Sequence, residues 1–178
     1  MRNQPRYDTL EGSDFFADGR SARQPVRDTV ARGQLQIDDH LYKGNVNGEL
    51  ATTFPVPTTQ KILARGQERY NIYCSPCHDG VGTGNGIIVQ RGFKRPASFH
   101  IDRLREASVG YFFDVITNGY GVMYDYSARV APRDRWAIVA YIRALQLSQH
   151  APVAELPDEL ASQIRDPADS SESISHDE

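Results

Sequence analysis

The chain has 178 residues, a formal net charge of −3 at neutral pH and an ordinary composition. Its length predicts one domain with extensions. It contains no run of about 18 or more apolar residues, so we expect no segment of it to span a bilayer. Neither its composition nor its charge suggests a nucleic-acid partner.

Residues 1–58 are predicted to form an extended N-terminal arm. They contain four prolines, scattered aromatic residues and little periodicity, so they lack the pattern needed for a core of their own. We expect the arm to lie on another protein, with Phe15 and Phe16 as apolar anchors. The side chains expected to pair with acidic or carbonyl groups of that protein are Arg20, Arg23, Arg27 and Arg32.

An amphipathic helix is predicted from Thr59 to the first cysteine. Ile62, Gly66, Tyr70 and Tyr73 recur at spacings of four, four and three residues, which is the stripe of one helix face. This helix leads directly into the stretch YCSPCHDG, residues 73–80.

The stretch YCSPCHDG contains both cysteines of the chain, Cys74 and Cys77, followed at once by His78. A Cys-x-x-Cys pair is a redox disulfide, half of a zinc site or the attachment point of a c-type haem. Zinc would need a fourth ligand from another histidine, and a thioredoxin-like motif would accompany a βαβ pattern. We therefore predict one covalent haem c, with thioether bonds at Cys74 and Cys77 and His78 as the proximal iron ligand. A plain pair of thiols is the alternative.

A glycine-rich loop follows the motif, and then a second helix is predicted. Val109, Phe112 and Ile116 follow Ser108, a suitable N-cap, and the pattern stops at Asn118-Gly119.

Met123 is predicted to be the second iron ligand. It lies between two helices in a loop of glycine and polar residues, and a Met paired with His raises the potential of haem iron. A methionine that fills a gap in the core is the ordinary alternative. His100 is a rival ligand, which would give a bis-imidazole iron of lower potential.

The last helix is predicted to start at Pro132, a residue suited to a first helical position, and to run to about Leu147. The first and last helices of this domain are expected to cross behind the haem. Gly66 would permit a close approach to Ala140 or Tyr141.

Several supporting roles follow from a bound haem. The carbonyl group of Pro96 is a candidate acceptor for the second ring nitrogen of His78. Asp79 is expected in a turn or facing solvent. Candidates for hydrogen bonds to the haem propionates, each with an ordinary packing or surface role available, are Arg91, Arg95, Tyr126 and Trp136.

Charge divides the chain unevenly. Residues 61–150 hold 12 basic and 7 acidic side chains, whereas residues 151–178 hold 1 and 8. A basic face beside a haem can steer an acidic redox partner, and an ordinary solvated surface is the alternative. Residues 59–150 are thus predicted to form the haem domain, and residues 151–178 a flexible acidic tail.

The order of helix, C-x-x-C-H motif, glycine-rich loop, helix, loop methionine and last helix resembles the class I cytochrome c fold over residues 59–148. Several stretches also resemble the monohaem cytochrome c subunit of bacterial alternative complex III. They are DFFADGRSAR (14–23), TVARG (29–33), GNG (84–86), QRGF (90–93), NGYGVM (118–123) and PRDRWAIVAYIRALQ (132–146).

This resemblance implies a mainly α domain around one covalent haem, in an electron-transfer subunit of a membrane-bound quinol-oxidising complex. It implies Cys74 and Cys77 as thioether positions and His78 and Met123 as iron ligands. The implied partners are iron–sulfur, multihaem and polytopic membrane subunits and a periplasmic electron acceptor or terminal oxidase. The subunit would not be catalytic alone, because quinol oxidation would need a site on other subunits.

The implied location is the periplasmic side of the bacterial plasma membrane, held there peripherally. Residues 1–7 are polar and show no secretory signal, so export depends on a segment upstream or on a feature of another kind. Both cysteines lie in the haem motif, so attachment is expected to rest on protein contacts instead of a lipid. A freely diffusing periplasmic cytochrome c and a haem sensor are the alternative functions.

Overall fold

The computed structural model describes residues 4–152. The first three residues, and the predicted acidic tail from residue 153 onward, lie outside the described residues. The chain divides into two units, Met1–Ile37 and Asp38–Glu178, which are described separately below.

The N-terminal unit is a loop closed by its own hydrogen bonds. Gly12 pairs with Arg20 in an isolated antiparallel bridge, and Ser13 N–H donates to the carbonyl oxygen of Gly19 at 3.0 Å. Ser13 is buried, and its hydroxyl donates to the Tyr7 hydroxyl. Among residues 4–37, no other residue is buried, so this part of the predicted arm, residues 1–58, has no core of its own.

Two of the predicted partner-facing side chains are already engaged inside this unit. The Arg23 guanidinium contacts the carboxylate of Asp18 at 2.8 Å and lies 4.2 Å from the ring centroid of Phe16. Phe15, in contrast, is 83% exposed. Of the two predicted aromatic anchors, Phe15 therefore presents most of its surface to solvent.

The second unit is mainly helical over its described residues, as predicted. None of its helices within the described range is long and apolar enough to cross a membrane. A two-residue antiparallel hairpin pairs Asn45 with Leu50 and Val46 with Glu49. The elements are α1 (Asp39–Lys43), β1 (Asn45–Val46), β2 (Glu49–Leu50), α2 (Gln60–Tyr73), α3 (Ser75–His78), α4 (Ile87–Gln90), α5 (Asp102–Glu106), α6 (Val109–Asn118) and α7 (Pro132–Ser148).

The three predicted long helices, α2, α6 and α7, are confirmed with their caps. The side chain of Thr59 accepts a hydrogen bond from Ile62 N–H, and that of Ser108 accepts one from Tyr111 N–H. Pro132 opens α7, where the missing N–H costs no helical hydrogen bond. Side-chain capping of this kind satisfies amide groups that the first turn of a helix leaves unpaired.

Helices α2 and α7 touch at Gly66. A Cβ atom on Gly66 would overlap the carbonyl oxygen of Ala137 and would lie 3.0 Å from the Cβ atom of Tyr141. The predicted close approach at Gly66 is thus confirmed at Tyr141, and Ala137 takes the place predicted for Ala140. The helices can cross at this distance because Gly66 has no side chain.

Residues 38–57 pack on α6 and α7, so the boundary in the structure lies at residue 37 and not at the predicted residue 58. The indole N–H of Trp136 donates to the carbonyl oxygen of Leu41 at 2.9 Å. The amide of Gly110 donates to the carbonyl oxygen of Ala51 at 2.8 Å, and Ala51 is 1% exposed. Phe54 packs edge-on against Trp136. These contacts use backbone groups and isolated apolar residues, which leave no periodic pattern in the sequence.

Truncation at two places tests this boundary. We expect deletion of residues 1–37 to leave the stability of the helical unit close to that of the full chain. Deletion of residues 1–57 should cost at least about 3 kcal/mol, because it uncovers Trp136 and removes the acceptor of its indole N–H. Urea unfolding followed by far-UV circular dichroism measures both. Equal stabilities of the two truncated chains would contradict the packing of residues 38–57 described here.

Candidate functional site

The two cysteines and His78 lie on one helical turn at the end of α2. Cys74 N–H donates to the carbonyl oxygen of Tyr70, and the carbonyl oxygen of Cys74 accepts from the amides of Cys77 and His78 at 3.1 and 2.9 Å. Pro76 lies in the first turn of α3, where proline is tolerated. The motif is therefore a continuation of α2 that presents two thiols and an imidazole within four residues.

Both thiols are free and half-buried. Burial, and then the charge of Cys77, raises the pKa of the Cys74 thiol to about 12. A thiol that stays protonated is a weak nucleophile, so the surroundings of Cys74 do not favour thiol–disulfide exchange.

The His78 imidazole is held neutral between aromatic and apolar groups. It stacks on the ring of Phe99 with centroids 4.6 Å apart and planes 14° from parallel. Burial lowers the pKa of His78 to about 4, against the opposing charge of Asp79. A neutral imidazole is the form that binds a metal.

The predicted hydrogen bond from His78 to the carbonyl oxygen of Pro96 is not found. The Nδ1 atom of His78 is buried and has no hydrogen-bond partner among the described residues. The carbonyl oxygen of Pro96 instead faces Gly84, where it would lie 2.5 Å from a Cβ atom added to that glycine. Stacking on Phe99, and not a hydrogen bond at Nδ1, is therefore the described contact that orients the ring.

The loop after His78 is organised by the carboxylate of Asp79. This group accepts hydrogen bonds from the hydroxyl of Thr83 and from the backbone amides of Val81, Gly82, Thr83 and Asn85. Burial alone would raise the pKa of Asp79, but these bonds outweigh it and lower the pKa to about 2. The prediction of a turn residue at Asp79 is confirmed, and its role extends to five donors of the loop.

Tyr70 connects this loop to α2. Its hydroxyl donates to the carbonyl oxygen of Asp79 at 2.8 Å, and the residue is fully buried. The helix that carries the motif therefore also fixes the backbone immediately after it.

The loop backbone lies directly on the motif at Gly86. A Cβ atom there would overlap the carbonyl oxygen of Pro76 and would lie 2.7 Å from the carbonyl carbon of Cys77. Gly86 N–H donates to the carbonyl oxygen of Cys77 at 3.1 Å. The motif thus has backbone, and not a side chain, along one of its sides.

Phe99 and His100 hold the same loop from the other side, and the sequence analysis did not foresee this role for either. Phe99 N–H donates to the carbonyl oxygen of Gly82 at 2.9 Å. His100 Nε2 lies 2.7 Å from the carbonyl oxygen of Val81. That nitrogen is engaged with backbone, whereas His100 Nδ1 is buried without a hydrogen-bond partner among the described residues.

Met123 lies half-buried in the loop between α6 and α7. Its backbone N–H and carbonyl oxygen pair with those of Tyr120 at 3.0 and 2.9 Å, which forms a tight turn. In the same loop the ring of Tyr126 packs edge-on against that of Tyr73, with centroids 6.3 Å apart. Burial, followed by the charges of the two thiols, raises the pKa of Tyr126. The loop that carries Met123 therefore reaches the end of α2 where the motif lies.

Among the predicted propionate partners, Trp136 is ruled out by its position. Its ring is fully buried, stacks on Phe113, and gives its N–H to Leu41. Arg95 donates to the carbonyl oxygen of Thr83, so it serves the loop that Asp79 organises.

The zinc interpretation finds no support within residues 4–152. No group of three or more His, Cys, Asp or Glu side chains there could hold a metal ion. His176, one of the histidines considered as a fourth ligand, lies outside the described residues.

Comparison with known proteins finds a family model that is similar to part of the helical unit. Residues 62–142, from α2 into α7, match the family model for cytochrome C oxidase, cbb3-type, subunit III. No curated protein matches the sequence. A solved structure, the Kuenenia stuttgartiensis reducing HAO-like protein complex Kustc0457/Kustc0458, is similar with a TM-score of 0.46 and 19% identity. The similarity covers 60% of this chain and 54% of the chain in that structure. This chain therefore spans about half the length of the chain that it matches.

The family match covers the motif and Met123, and it confirms the predicted class I cytochrome c-like fold. The residues present fit the haem c that this family carries. Two protonated thiols stand beside a neutral imidazole on one turn, and the backbone at Gly86 closes against that turn.

The carboxylate of Asp79 should stabilise the loop in a pH-dependent way. Its pKa falls from an ordinary 3.8 to about 2 on folding, so its stabilisation is present above about pH 4 and is lost as the pH falls through about 2. We expect Asp79→Asn to cost about 1–2 kcal/mol at neutral pH and to remove that pH dependence. Urea unfolding at several pH values measures this, with the exposed Asp102→Asn as matched control. An unchanged acid profile in Asp79→Asn would contradict the role given to its carboxylate.

Proposed function

Because residues 62–142 form a cytochrome c domain, whose chemistry is haem-based electron transfer, we propose that this chain is an electron-transfer subunit with one haem c. We further propose that it belongs to a membrane-bound quinol-oxidising complex of the alternative complex III type. The observation that carries the haem proposal is the single turn that presents Cys74 and Cys77 beside the neutral imidazole of His78.

Each thiol has a defined part in attachment. The sulfur atoms of Cys74 and Cys77 would each form a bond to one vinyl carbon while the thiol hydrogen passes to the other vinyl carbon, so no oxidant is consumed. The high pKa of Cys74 is consistent with addition of a protonated thiol. The bound haem supplies a one-electron iron couple.

His78 and Met123 would supply the two protein ligands of the iron. The stacking of His78 on Phe99 fixes its ring plane, and the Tyr120–Met123 turn fixes the backbone of the second ligand. Two protein ligands close the iron to substrates, which suits electron transfer rather than catalysis at the haem. Quinol oxidation would therefore take place on other subunits.

The N-terminal unit supports a place in a larger assembly. A segment that cannot bury its large apolar side chains in a core of its own is suited to folding onto another protein. In this unit the exposed ones are Tyr7, Leu10, Phe15, Val26, Val30, Leu35 and Ile37. We propose that partner subunits of the iron–sulfur, multihaem and polytopic membrane kinds bury them, with Arg20, Arg27 and Arg32 facing acidic or carbonyl groups.

The location follows from the chemistry of the complex. We propose that the subunit lies peripherally on the periplasmic side of the bacterial plasma membrane and is held there through its partners. It would take electrons that originate at quinol and pass them toward a periplasmic acceptor or a terminal oxidase.

Substitution of Met123 tests the haem ligation. We expect Met123→Ala to abolish the near-infrared band of sulfur-ligated ferric haem, to lower the potential by on the order of 100 mV, and to open the ferrous iron to CO. Cys74→Ala with Cys77→Ala, which should leave no covalent haem after acid–acetone extraction, is the control for attachment. A native spectrum with the sulfur band intact in Met123→Ala would show that another residue binds the iron.

Two charged substitutions in the N-terminal unit test the assembly. Leu10→Asp with Phe15→Asp should lower recovery with membrane partners on the order of tenfold, with an unchanged haem spectrum. Leu147→Asp, at an exposed apolar residue of α7, is the matched control. The readout is affinity purification from solubilised membranes, with partners identified by mass spectrometry. Purification of the wild-type chain alone would instead favour a freely diffusing carrier.

A further inference from the structure

One arginine joins the two ends of the loop that carries Met123. Arg135, on the first turns of α7, is 5% exposed. Its Nε atom donates to the carbonyl oxygen of Val130 at 3.0 Å, and its Nη1 atom donates to the hydroxyl of Thr117. Thr117 belongs to the last turn of α6, and Val130 lies just before α7. A single guanidinium therefore spans the base of residues 118–130.

The charge of Arg135 is buried without a carboxylate. No Asp or Glu oxygen of the described residues lies within 4.0 Å of it. Its guanidinium lies 4.9 Å from the ring centroid of Phe113, and burial lowers the pKa of Arg135. A buried cation of this kind is costly, and an apolar side chain of similar size would fill the same space. What an apolar side chain could not supply is the pair of directed donors.

The loop has few other internal supports among its described contacts. Apart from the Tyr120–Met123 turn, its backbone is held mainly around Tyr126, which bonds to Ile116 on one side and to Arg129 and Val130 on the other. Holding the ends of a loop together reduces the number of conformations that it can adopt. The two bonds of Arg135 add such a constraint to the bonds of Tyr126.

We propose that Arg135 is a positioning residue, which holds the two ends of loop 118–130 at the separation that places Met123 toward the iron. This rests on the proposed ligation by Met123. Arg135 touches neither Met123 nor the His78 turn in any described hydrogen bond, so it would act through Thr117 and Val130.

The same helix offers a matched control. Arg143 is half-buried in α7, lies 5.0 Å from the ring centroid of Phe112, and, like Arg135, has its pKa lowered by burial. Its guanidinium donates to the carbonyl oxygens of Arg105 and Ala107. It therefore makes the same kinds of bond to a different segment.

The test compares the haem-loaded chain with the variants Arg135→Gln, Thr117→Val, Thr117→Ser and Arg143→Gln. We expect hydrogen exchange of the loop amides to be about tenfold faster than in the wild type in Arg135→Gln and Thr117→Val. In these two variants the sulfur band should also disappear on heating before the helices unfold. Thr117→Ser keeps the hydroxyl and should behave as the wild type. Arg143→Gln should lower global stability without a selective change in the loop.

The outcomes separate this proposal from the proposed ligation. Loop exchange reports the role of Arg135 whether or not Met123 binds iron, whereas a wild-type spectrum without the sulfur band defeats the ligation. Unchanged loop exchange in Arg135→Gln, or an equal effect in Arg143→Gln, overturns the positioning role. A shifted potential with unchanged exchange also overturns it, since Arg135 would then act on the cofactor directly. If Arg135→Gln fails to fold, the milder pair Thr117→Val and Thr117→Ser decides.

Discussion

The contact of α2 with α7 at Gly66 sets the geometry on which the site depends. Helix α2 delivers Cys74, Cys77 and His78 from its C-terminal end, and the loop before α7 delivers Met123. Because a Cβ atom at Gly66 would overlap the backbone of Ala137, the two axes meet at a distance that backbone, and not side-chain size, determines. A close-packed crossing of this kind resists small displacements, so the end of α2 and the start of α7 keep a fixed relation.

Around that crossing, the motif is shaped mainly by hydrogen bonds to backbone. The carboxylate of Asp79 accepts hydrogen bonds from amides of the following loop. The Tyr70 hydroxyl donates to the carbonyl oxygen of Asp79, and the His100 ring is hydrogen-bonded to the carbonyl oxygen of Val81. Each of these side chains pairs with backbone polar groups of the loop. The His78 ring, by contrast, is placed by stacking and keeps Nδ1 unbonded among the described residues. The loop backbone is therefore held independently of any hydrogen bond at Nδ1 of the His78 ring.

The sequence predicted those features that leave a regular spacing of apolar residues or a distinctive set of residue types. The stripe Ile62–Tyr73, the caps Thr59 and Ser108, and the Cys-x-x-Cys-His motif are local, and helices α2, α6 and α7 matched them. The packing of residues 38–57 could not be predicted, because it rests on the carbonyl groups of Leu41 and Ala51 meeting Trp136 and Gly110. Backbone groups are the same in every residue and carry no signal in the sequence. The roles of Phe99 and His100 escaped prediction for the same reason.

Two arginines of α7, Arg135 and Arg143, connect this helix to both the fold and the site. Arg143 bonds to Arg105 and Ala107 and so holds the segment between α5 and α6, whereas Arg135 bonds to Thr117 and Val130 and so closes the loop of Met123. Eight residues separate them, which is about 2.2 helical turns, so the two side chains project roughly 80° apart around the helix axis. Helix α7 thus contacts the last turn of α6 through Arg135 and the segment just before α6 through Arg143. A displacement of α7 would therefore also move the two ends of the Met123 loop, because Arg135 is hydrogen-bonded to Thr117 at one end and to Val130 at the other.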